Sequence, residues 1–160
     1  METLYFDVLQ FLYHLALAVI VGGGLVLGSA AAPAIFRTAR SRSEAGTIFG
    51  GVLGRFDQLA ILALVVLVVT SVLKVIAFED TSLGPRLYLR WAALLVVAGA
   101  VLFASAWSNP VARSIRASTP DFDELREDHA ARREFRKLHA SSTRAMSVAI
   151  AAGTVALFLS

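Results

Sequence analysis

His14, the one histidine inside the first apolar block of the sequence, is the residue whose type most directly suggests chemistry. An ionisable side chain in an apolar helix is costly to bury without a partner, so it is a functional hypothesis by default. A helix histidine of this kind can bind haem iron as an axial ligand. The alternative is a neutral histidine that is hydrogen-bonded to a neighbouring helix. The sequence leaves both interpretations open, and haem is the one cofactor it suggests.

Other kinds of site find little support in the residues. The chain has no cysteine, which excludes disulfides, iron–sulfur clusters and cysteine-based zinc sites. No acidic residue lies in the middle of an apolar block, which argues against a proton-coupled carrier. Neither a phosphate-binding glycine loop nor a nucleophile–histidine–acid set is evident. We therefore expect no metal site and no catalytic residue, and a non-enzymatic role is favoured.

A second polar group lies where the second and fourth apolar blocks begin. Asp57 is the acid nearest to an apolar block, and Arg144 lies in the first turns of the fourth block. The sequence predicts an ion pair between them; the alternative is that Arg144 extends to lipid phosphate. The same level of the protein is expected to hold Arg55, Asn109, Arg113, His139 and Ser142.

Four apolar blocks must position these residues. Of the 160 residues 57% are apolar and 17% are charged, and the mean hydropathy is +0.69. Each block has about 20–25 residues, which at about 1.5 Å per residue matches a hydrocarbon core of about 30 Å. The sequence predicts an all-α protein, an integral membrane four-helix bundle forming a single domain. Its spans are expected at about 8–32, 57–78, 87–107 and 138–160.

The distribution of basic residues predicts the orientation. Of the 15 lysines and arginines, four precede the second span and eight lie before the fourth span or in its first turns, which leaves three elsewhere. The positive-inside rule then places both long connections in the cytoplasm and both termini on the outer, periplasmic side of the inner membrane. Since these basic residues flank apolar blocks, they favour anionic lipid headgroups and not nucleic acid as a partner.

Small residues spaced four apart predict where the helices touch. Helices in lipid associate through close backbone approach, because lipid tails provide no hydrophobic driving force between them. Gly24 and Gly28 mark such a face on the first span, and Ala149 and Gly153 mark one on the fourth. Packing within the bundle is the favoured interpretation, and contact with a second copy of the chain is the alternative.

An amphipathic helix is predicted on the cytoplasmic side at about residues 42–56. The stretch from Ser41 to Glu44 fits a capping box that begins this helix. Gly46, Gly50 and Gly54 recur on one of its faces and are expected to let it lie tightly against a neighbour or bend at the membrane interface. The helix is expected to continue into the second span.

A second cytoplasmic helix is predicted at about 120–137. Asn109-Pro110 is expected to end the third helix, and Thr119-Pro120 to cap the new one. This helix is strongly charged, and it is interpreted either as a solvated helix or as a docking surface for a partner protein or anionic lipid. The residues assigned to that surface are Arg132, Arg133, Arg136 and Lys137.

Several short motifs resemble a known family. They are Ala32-Pro33-Ala34-Ile35-Phe36, Glu44-Ala45-Gly46, Arg55-Phe56, His14 with Gly22 to Gly24, and Phe135 to His139 with Ser141 and Ser142. With them the chain resembles the transmembrane protein 205-like family, a four-span membrane domain of unknown function. The resemblance implies a topology and carries over no catalytic residue.

Three classes of function follow from these observations. The favoured one is an accessory or structural subunit that packs against a larger membrane complex or against itself. The second is a stand-alone permease or lipid-handling protein. The third is a haem-binding four-helix membrane protein that uses His14.

Overall fold

The computed structural model describes residues 2–78 and 84–160, and within these ranges the regular structure is helical throughout, without strands. Four helices are long and apolar enough to cross a membrane: Thr3–Thr38, Arg42–Phe78, Pro85–Ser118 and Ala130–Phe158. The prediction of four long apolar helices is therefore confirmed, and the chain has the architecture of a multi-pass membrane protein. Each predicted span begins inside one of these helices.

Two of the four helices are interrupted by a wider, π-helical turn. The elements in chain order are α1 (Glu2–Val26), a first π-turn (Leu27–Ala31), α2 (Ala32–Thr38), α3 (Arg42–Phe78), α4 (Pro85–Val101), a second π-turn (Leu102–Ser108), α5 (Asn109–Ser118) and α6 (Ala130–Phe158). The helix predicted at about 42–56 forms the first part of α3 and runs on without a break to Phe78. Its start is capped, since the Glu44 amide donates to Ser41 Oγ at 3.1 Å.

A proline lies two residues after the end of each π-turn. Inside an α-helix the proline ring clashes with the carbonyl four residues earlier. Here the amides of Ala32 and Asn109 donate to carbonyls five residues back, so that each helix is widened just before Pro33 or Pro110. The prediction that Asn109-Pro110 ends the third helix is wrong for this reason: the second π-turn accommodates the ring, and the helix continues to Ser118.

Residues 119–129 form turns and not the first part of a charged helix, so the helix predicted at 120–137 is wrong over 120–129. Thr119 does not cap forward, because its hydroxyl donates back to Ile115 O at 2.7 Å and closes α5. Asp121 then takes a left-handed backbone conformation with φ of 48°, which interrupts helical geometry. The cap of α6 is His129, whose Nδ1 accepts a bond from the Ala131 amide at 3.3 Å.

The helices pack so that α1 contacts α3 and α6, while α4 contacts α6 and more weakly α3. The core runs along the middle of the bundle, with Leu17, Ile20, Leu67, Val97 and Val101 almost completely buried. Small residues allow the close approach of α1 and α6. A Cβ placed on Gly153 would lie 2.6 Å from Val21 Cγ2, and one on Gly24 would lie 3.1 Å from Ile150 Cδ1. Ala149, one turn before Gly153, is fully buried.

Candidate functional site

A buried polar network joins α3, α5 and α6 at the end of the bundle that carries most of the arginines, which we call the basic end. Asp57 is 2% exposed, and its two carboxylate oxygens accept from Asn109 Nδ2 at 2.8 Å and Arg113 Nη1 at 2.6 Å. Ser142 Oγ donates to Asn109 Oδ1 at 2.5 Å. Because both oxygens of the buried carboxylate are paired, its charge is compensated by protein side chains.

Arg144 is not the partner of Asp57, so the predicted Asp57–Arg144 ion pair is wrong. Arg144 is exposed on α6, whereas Arg113 reaches Asp57 from α5. The sequence did contain a signal for the true partners, since Asn109 and Arg113 are four residues apart and share a helical face. That signal depends on a helix that continues through Pro110.

The sequence predicts that the glycines of α3 contact a neighbouring helix. In the structure they face arginine side chains or open space instead. A Cβ on Gly46 would collide with the guanidinium of Arg116, and one on Gly54 would lie 3.7 Å from Arg113 Cζ. Gly50, between them, faces open space. Gly46 therefore makes room for Arg116 of α5, whereas a methyl group at Gly54 would be in ordinary contact with Arg113.

Segment 119–129 lies across the basic end and is held there by Arg116. The Arg116 guanidinium donates to Asp123 Oδ2 at 2.8 Å and to Ser43 O at 3.1 Å, and Ser43 Oγ donates to the same carboxylate at 2.6 Å. Phe122 is 7% exposed and contacts Phe135 with ring centroids 5.3 Å apart. These contacts fix the first half of the segment.

The four basic residues of α6 that were assigned to a docking surface fall into two groups. Arg132 Nη1 donates to Leu125 O at 2.5 Å, and Arg136 Nη2 donates to Glu127 O at 2.9 Å, so both hold the second half of segment 119–129. Arg133 and Lys137 are exposed and lie outside the lining of both cavities. The four residues assigned to one docking surface are therefore divided between an internal role and an external one.

An apolar cavity of about 390 Å³ opens between α1 and α6 just below the basic end. Its walls are mainly aliphatic and aromatic, and Gly28, Ser29 and Thr143 of its lining are exposed at the outer surface of the bundle. Gly28, predicted to contact another helix, faces open space here. The cavity is lined by Gly24, Leu25, Leu27, Gly28, Ser29, Phe49, Leu53, Phe56, Asn109, His139, Ser142, Thr143, Met146, Ser147 and Ile150.

A second cavity of about 480 Å³ lies beside the first, towards the basic end. The two share six lining residues, so they form one groove with an apolar inner part and a basic mouth. The shared residues are Gly28, Phe49, Leu53, Asn109, His139 and Thr143. The mouth adds five arginines and one aspartate: Arg42, Arg113, Arg116, Arg132, Arg136 and Asp123.

His14 lies at the opposite end of the bundle, in a separate polar cluster. Its Nε2 is 2.9 Å from Ser160 Oγ and 3.3 Å from Gln10 Nε2. Gln10 Oε1 accepts a bond from Lys74, whose ammonium lies 4.9 Å from the centroid of the Tyr13 ring. Lys74 is 17 residues after Asp57 on α3, roughly 26 Å by helical rise. The two polar clusters therefore bracket an apolar length close to the thickness of a bilayer core.

The surroundings of His14 do not fit a haem ligand. The ring nitrogen that would bind iron is already within hydrogen-bonding range of two side chains, and the ring packs edge-on against Tyr13 with centroids 5.6 Å apart. His14 lines neither part of the groove. In residues 2–78 and 84–160, no group of three or more histidines and acids is placed to hold a metal ion.

Residues 15–120 match a protein family described as a domain of unknown function, DUF4149. The match covers more than half of the chain. This protein belongs to the DUF4149 family. No curated protein and no solved structure matches the chain significantly.

The segment shared with the DUF4149 family contains three of the four side chains in the polar network, namely Asp57, Asn109 and Arg113. It also contains both π-turns and the α1 and α3 walls of the groove. The α6 wall, including His139 and Ile150, lies beyond it. In this DUF4149 protein the groove is thus built from family-matched helices on one side and from α6 on the other.

Proposed function

We propose that this DUF4149 protein handles a lipid-like amphiphile, which it binds in the groove between α1 and α6. The observation that carries the proposal is the continuity of the two cavities, because the same residues line the apolar inner part and the basic mouth. A molecule with an apolar tail and a polar head fits such a groove in one orientation. Cavities of about 300–1,000 Å³ are typical of small-molecule sites in proteins.

The position of the groove supports access from the bilayer. Exposed residues of α1, the first π-turn and α6 form its rim, so a ligand can enter sideways from the lipid phase. Phe49, Leu53 and Phe56 of α3 also line it, and Phe56 is buried in the bundle. An exposed rim above a buried apolar lining fits a binding site.

An accessory subunit of a larger membrane complex is our second proposal. The sequence favours it because of the small-residue faces and the charged helix predicted at 120–137, but Arg132 and Arg136 hold segment 119–129 against the bundle. Arg133 and Lys137 are exposed on α6, outside the groove lining, and they support contact with an acidic partner. Native mass measurement after gentle detergent extraction tests this role, since a particle of one to three copies would contradict it.

We also propose that the basic end faces the cytoplasm in the inner membrane, with both termini on the periplasmic side. The proposal rests on the positive-inside rule, because segments 37–55 and 113–144 hold 12 of the 15 lysines and arginines. The motifs that resemble the transmembrane protein 205-like family support the same topology, and we extend the kinship of the chain to that family on their account.

The binding proposal is tested by filling the groove. A Cβ at Gly28 meets nothing within 4 Å, so Gly28→Phe places a ring in the cavity without a clash at its base. Gly99 on α4 also faces open space, lies outside the groove lining and gives the matched control Gly99→Phe. Lipid retained by each purified variant is measured by native mass spectrometry in a mild neutral detergent.

Wild-type protein and Gly99→Phe should retain about one lipid per chain, as expected for a single site of this size. Gly28→Phe should retain much less while it remains monodisperse and unfolds at a similar temperature. Equal retention by Gly28→Phe and Gly99→Phe would show that the groove is not the site, and absence of bound lipid from all three proteins would contradict the proposed function itself.

A further inference from the structure

We propose that the mouth of the groove is a specific site for the phosphate of an anionic lipid headgroup, bound by Arg42, Arg132 and Arg136. This inference rests on the proposed function, because it assigns the headgroup of the amphiphile whose tail occupies the apolar part. It names a site where electrostatic attraction and hydrogen bonding act on one lipid molecule, in contrast to general attraction of a basic surface to a membrane.

The mouth carries more positive charge than the acidic side chains of the protein neutralise. Arg113 is paired with Asp57, and Arg116 is paired with Asp123. Arg42, Arg132 and Arg136 remain as an excess of positive charge in the lining. Arg136 Nη1 lies 3.7 Å from Glu127 Oε2, but both side chains are more than half exposed, so this pair is weak.

The guanidinium groups keep donors for a ligand. Arg132 donates to the neutral carbonyl of Leu125, and Arg136 donates to that of Glu127. A guanidinium carries five N–H groups in a planar fork that fits phosphate oxygens. These backbone bonds therefore orient the two side chains at the mouth without neutralising them, which favours an anion over a zwitterionic headgroup with its own cation.

The apolar cavity determines which source of phosphate fits. Free phosphate would occupy the mouth alone, whereas the groove runs on from His139 to Ile150 along α6, roughly 16 Å by helical rise. Met146, Ile150 and Phe56 line that inner part and offer only apolar contacts to a ligand. A phosphate joined to an acyl chain uses both parts of the groove.

The experiment compares phosphatidylglycerol with phosphatidylcholine of the same acyl chains, exchanged onto detergent-purified protein and counted by native mass spectrometry. Wild-type protein should prefer phosphatidylglycerol by about tenfold or more, a ratio that corresponds to about 1.4 kcal/mol. Glycerol phosphate, which has the headgroup but no tail, should compete poorly.

Two variants and one matched control locate the site. The double variant Arg132→Gln/Arg136→Gln should lose the preference. Because that variant also loosens segment 119–129, Arg42→Gln, on the opposite wall of the mouth, is tested separately and should reduce the preference severalfold. Arg133→Gln removes the same charge from the next residue of α6, outside the lining, and should leave the preference unchanged.

The outcomes separate the two proposals. Retention of both lipids to the same extent, with loss of both in Gly28→Phe, would overturn the headgroup site and leave the binding groove intact. An equal loss of preference in Arg133→Gln and Arg42→Gln would also overturn it, because the preference would then come from general surface charge. Strong competition by glycerol phosphate would assign the mouth to a soluble phosphate.

Discussion

Asp57 Oδ2 accepts a hydrogen bond from Arg113 Nη1 at 2.6 Å, and this pair connects the middle of α3 to α5. Asp57 is buried, whereas the Arg113 side chain is 36% exposed, so the ion pair lies at the boundary between the bundle interior and its basic end. Asn109 donates a hydrogen bond to the second carboxylate oxygen, and its own side-chain oxygen accepts one from Ser142 of α6. The network thereby links three of the four long helices, and two of its members, Asn109 and Ser142, line the groove.

Removal of this carboxylate charge should destabilise the protein. Asp57→Asn retains the size of the side chain but loses a charge-assisted bond, which contributes about 1.5–3 kcal/mol. We expect a lower unfolding temperature in detergent for Asp57→Asn. A double-mutant cycle should give a coupling of about 0.5–3 kcal/mol between Asp57→Asn and Arg113→Gln. The control cycle with Arg144→Gln should give none, and coupling to Arg144 in place of Arg113 would contradict the structure.

A methyl group at Gly46 should release segment 119–129. The Cβ of Gly46→Ala collides with the Arg116 guanidinium, which must leave Asp123 and Ser43. Since Arg116 is flexible, we expect little loss of global stability but faster tryptic cleavage at Arg126. Gly50→Ala, one turn further along α3 and facing open space, is the control and should be cleaved at the wild-type rate. Similar cleavage of the two variants would show that Arg116 does not hold the segment.

The contact between α1 and α6 should be sensitive to a single carbon at Gly153. The Cβ of Gly153→Ala would lie 2.6 Å from Val21 Cγ2, and Val21 is a stiff, buried β-branched residue. Overpacking costs about 1–3 kcal/mol and exceeds the gain of about 1 kcal/mol from replacing a helical glycine. We expect a lower unfolding temperature for Gly153→Ala and an equal or higher one for Gly99→Ala. The reverse order would contradict the packing of α1 against α6.

The proposed orientation can be read from cysteine labelling, because the chain contains no cysteine of its own. Arg133→Cys is exposed at the basic end, and Thr3→Cys is exposed at the other. A membrane-impermeant maleimide should label Thr3→Cys in spheroplasts and Arg133→Cys only in inverted vesicles. The opposite pattern would place the basic end outside, and labelling of both positions from one side would contradict the three crossings proposed between them.

The sequence predicted the four long helices because their apolar blocks are long and sharply bounded by charged residues. It also predicted the members of the polar network at the basic end, apart from which arginine binds Asp57. The depth of a residue in the membrane follows from its position along a helix, and by this measure Arg113 and Arg144 both lie near Asp57. The choice between them depends on how the helices are rotated, and no local pattern fixes that rotation.

One misinterpreted proline accounts for several of the differences. If the third helix ends at Asn109-Pro110, Asn109 and Arg113 do not share a helical face. The same assumption predicts that a new helix begins at Thr119-Pro120. The groove could not be predicted either. Gly24 and Gly28 obey the same four-residue spacing, yet Gly24 is buried against Ile150 while Gly28 lines a cavity. Gly28 lies within the first π-turn and Gly24 lies before it, and the four-residue spacing does not predict that turn.

The second π-turn changes the rotation of α5 about the helix axis relative to α4. A single extra residue in a helical turn rotates everything beyond it by about 100° relative to an uninterrupted α-helix. Asn109 and Arg113 face Asp57 only with that offset included. Deletion of one residue from Leu102–Ser108 would keep the helix apolar and long enough to cross a membrane, yet it would turn both side chains away from the carboxylate. The number of residues in Leu102–Ser108 therefore matters more for the polar network than which residues they are.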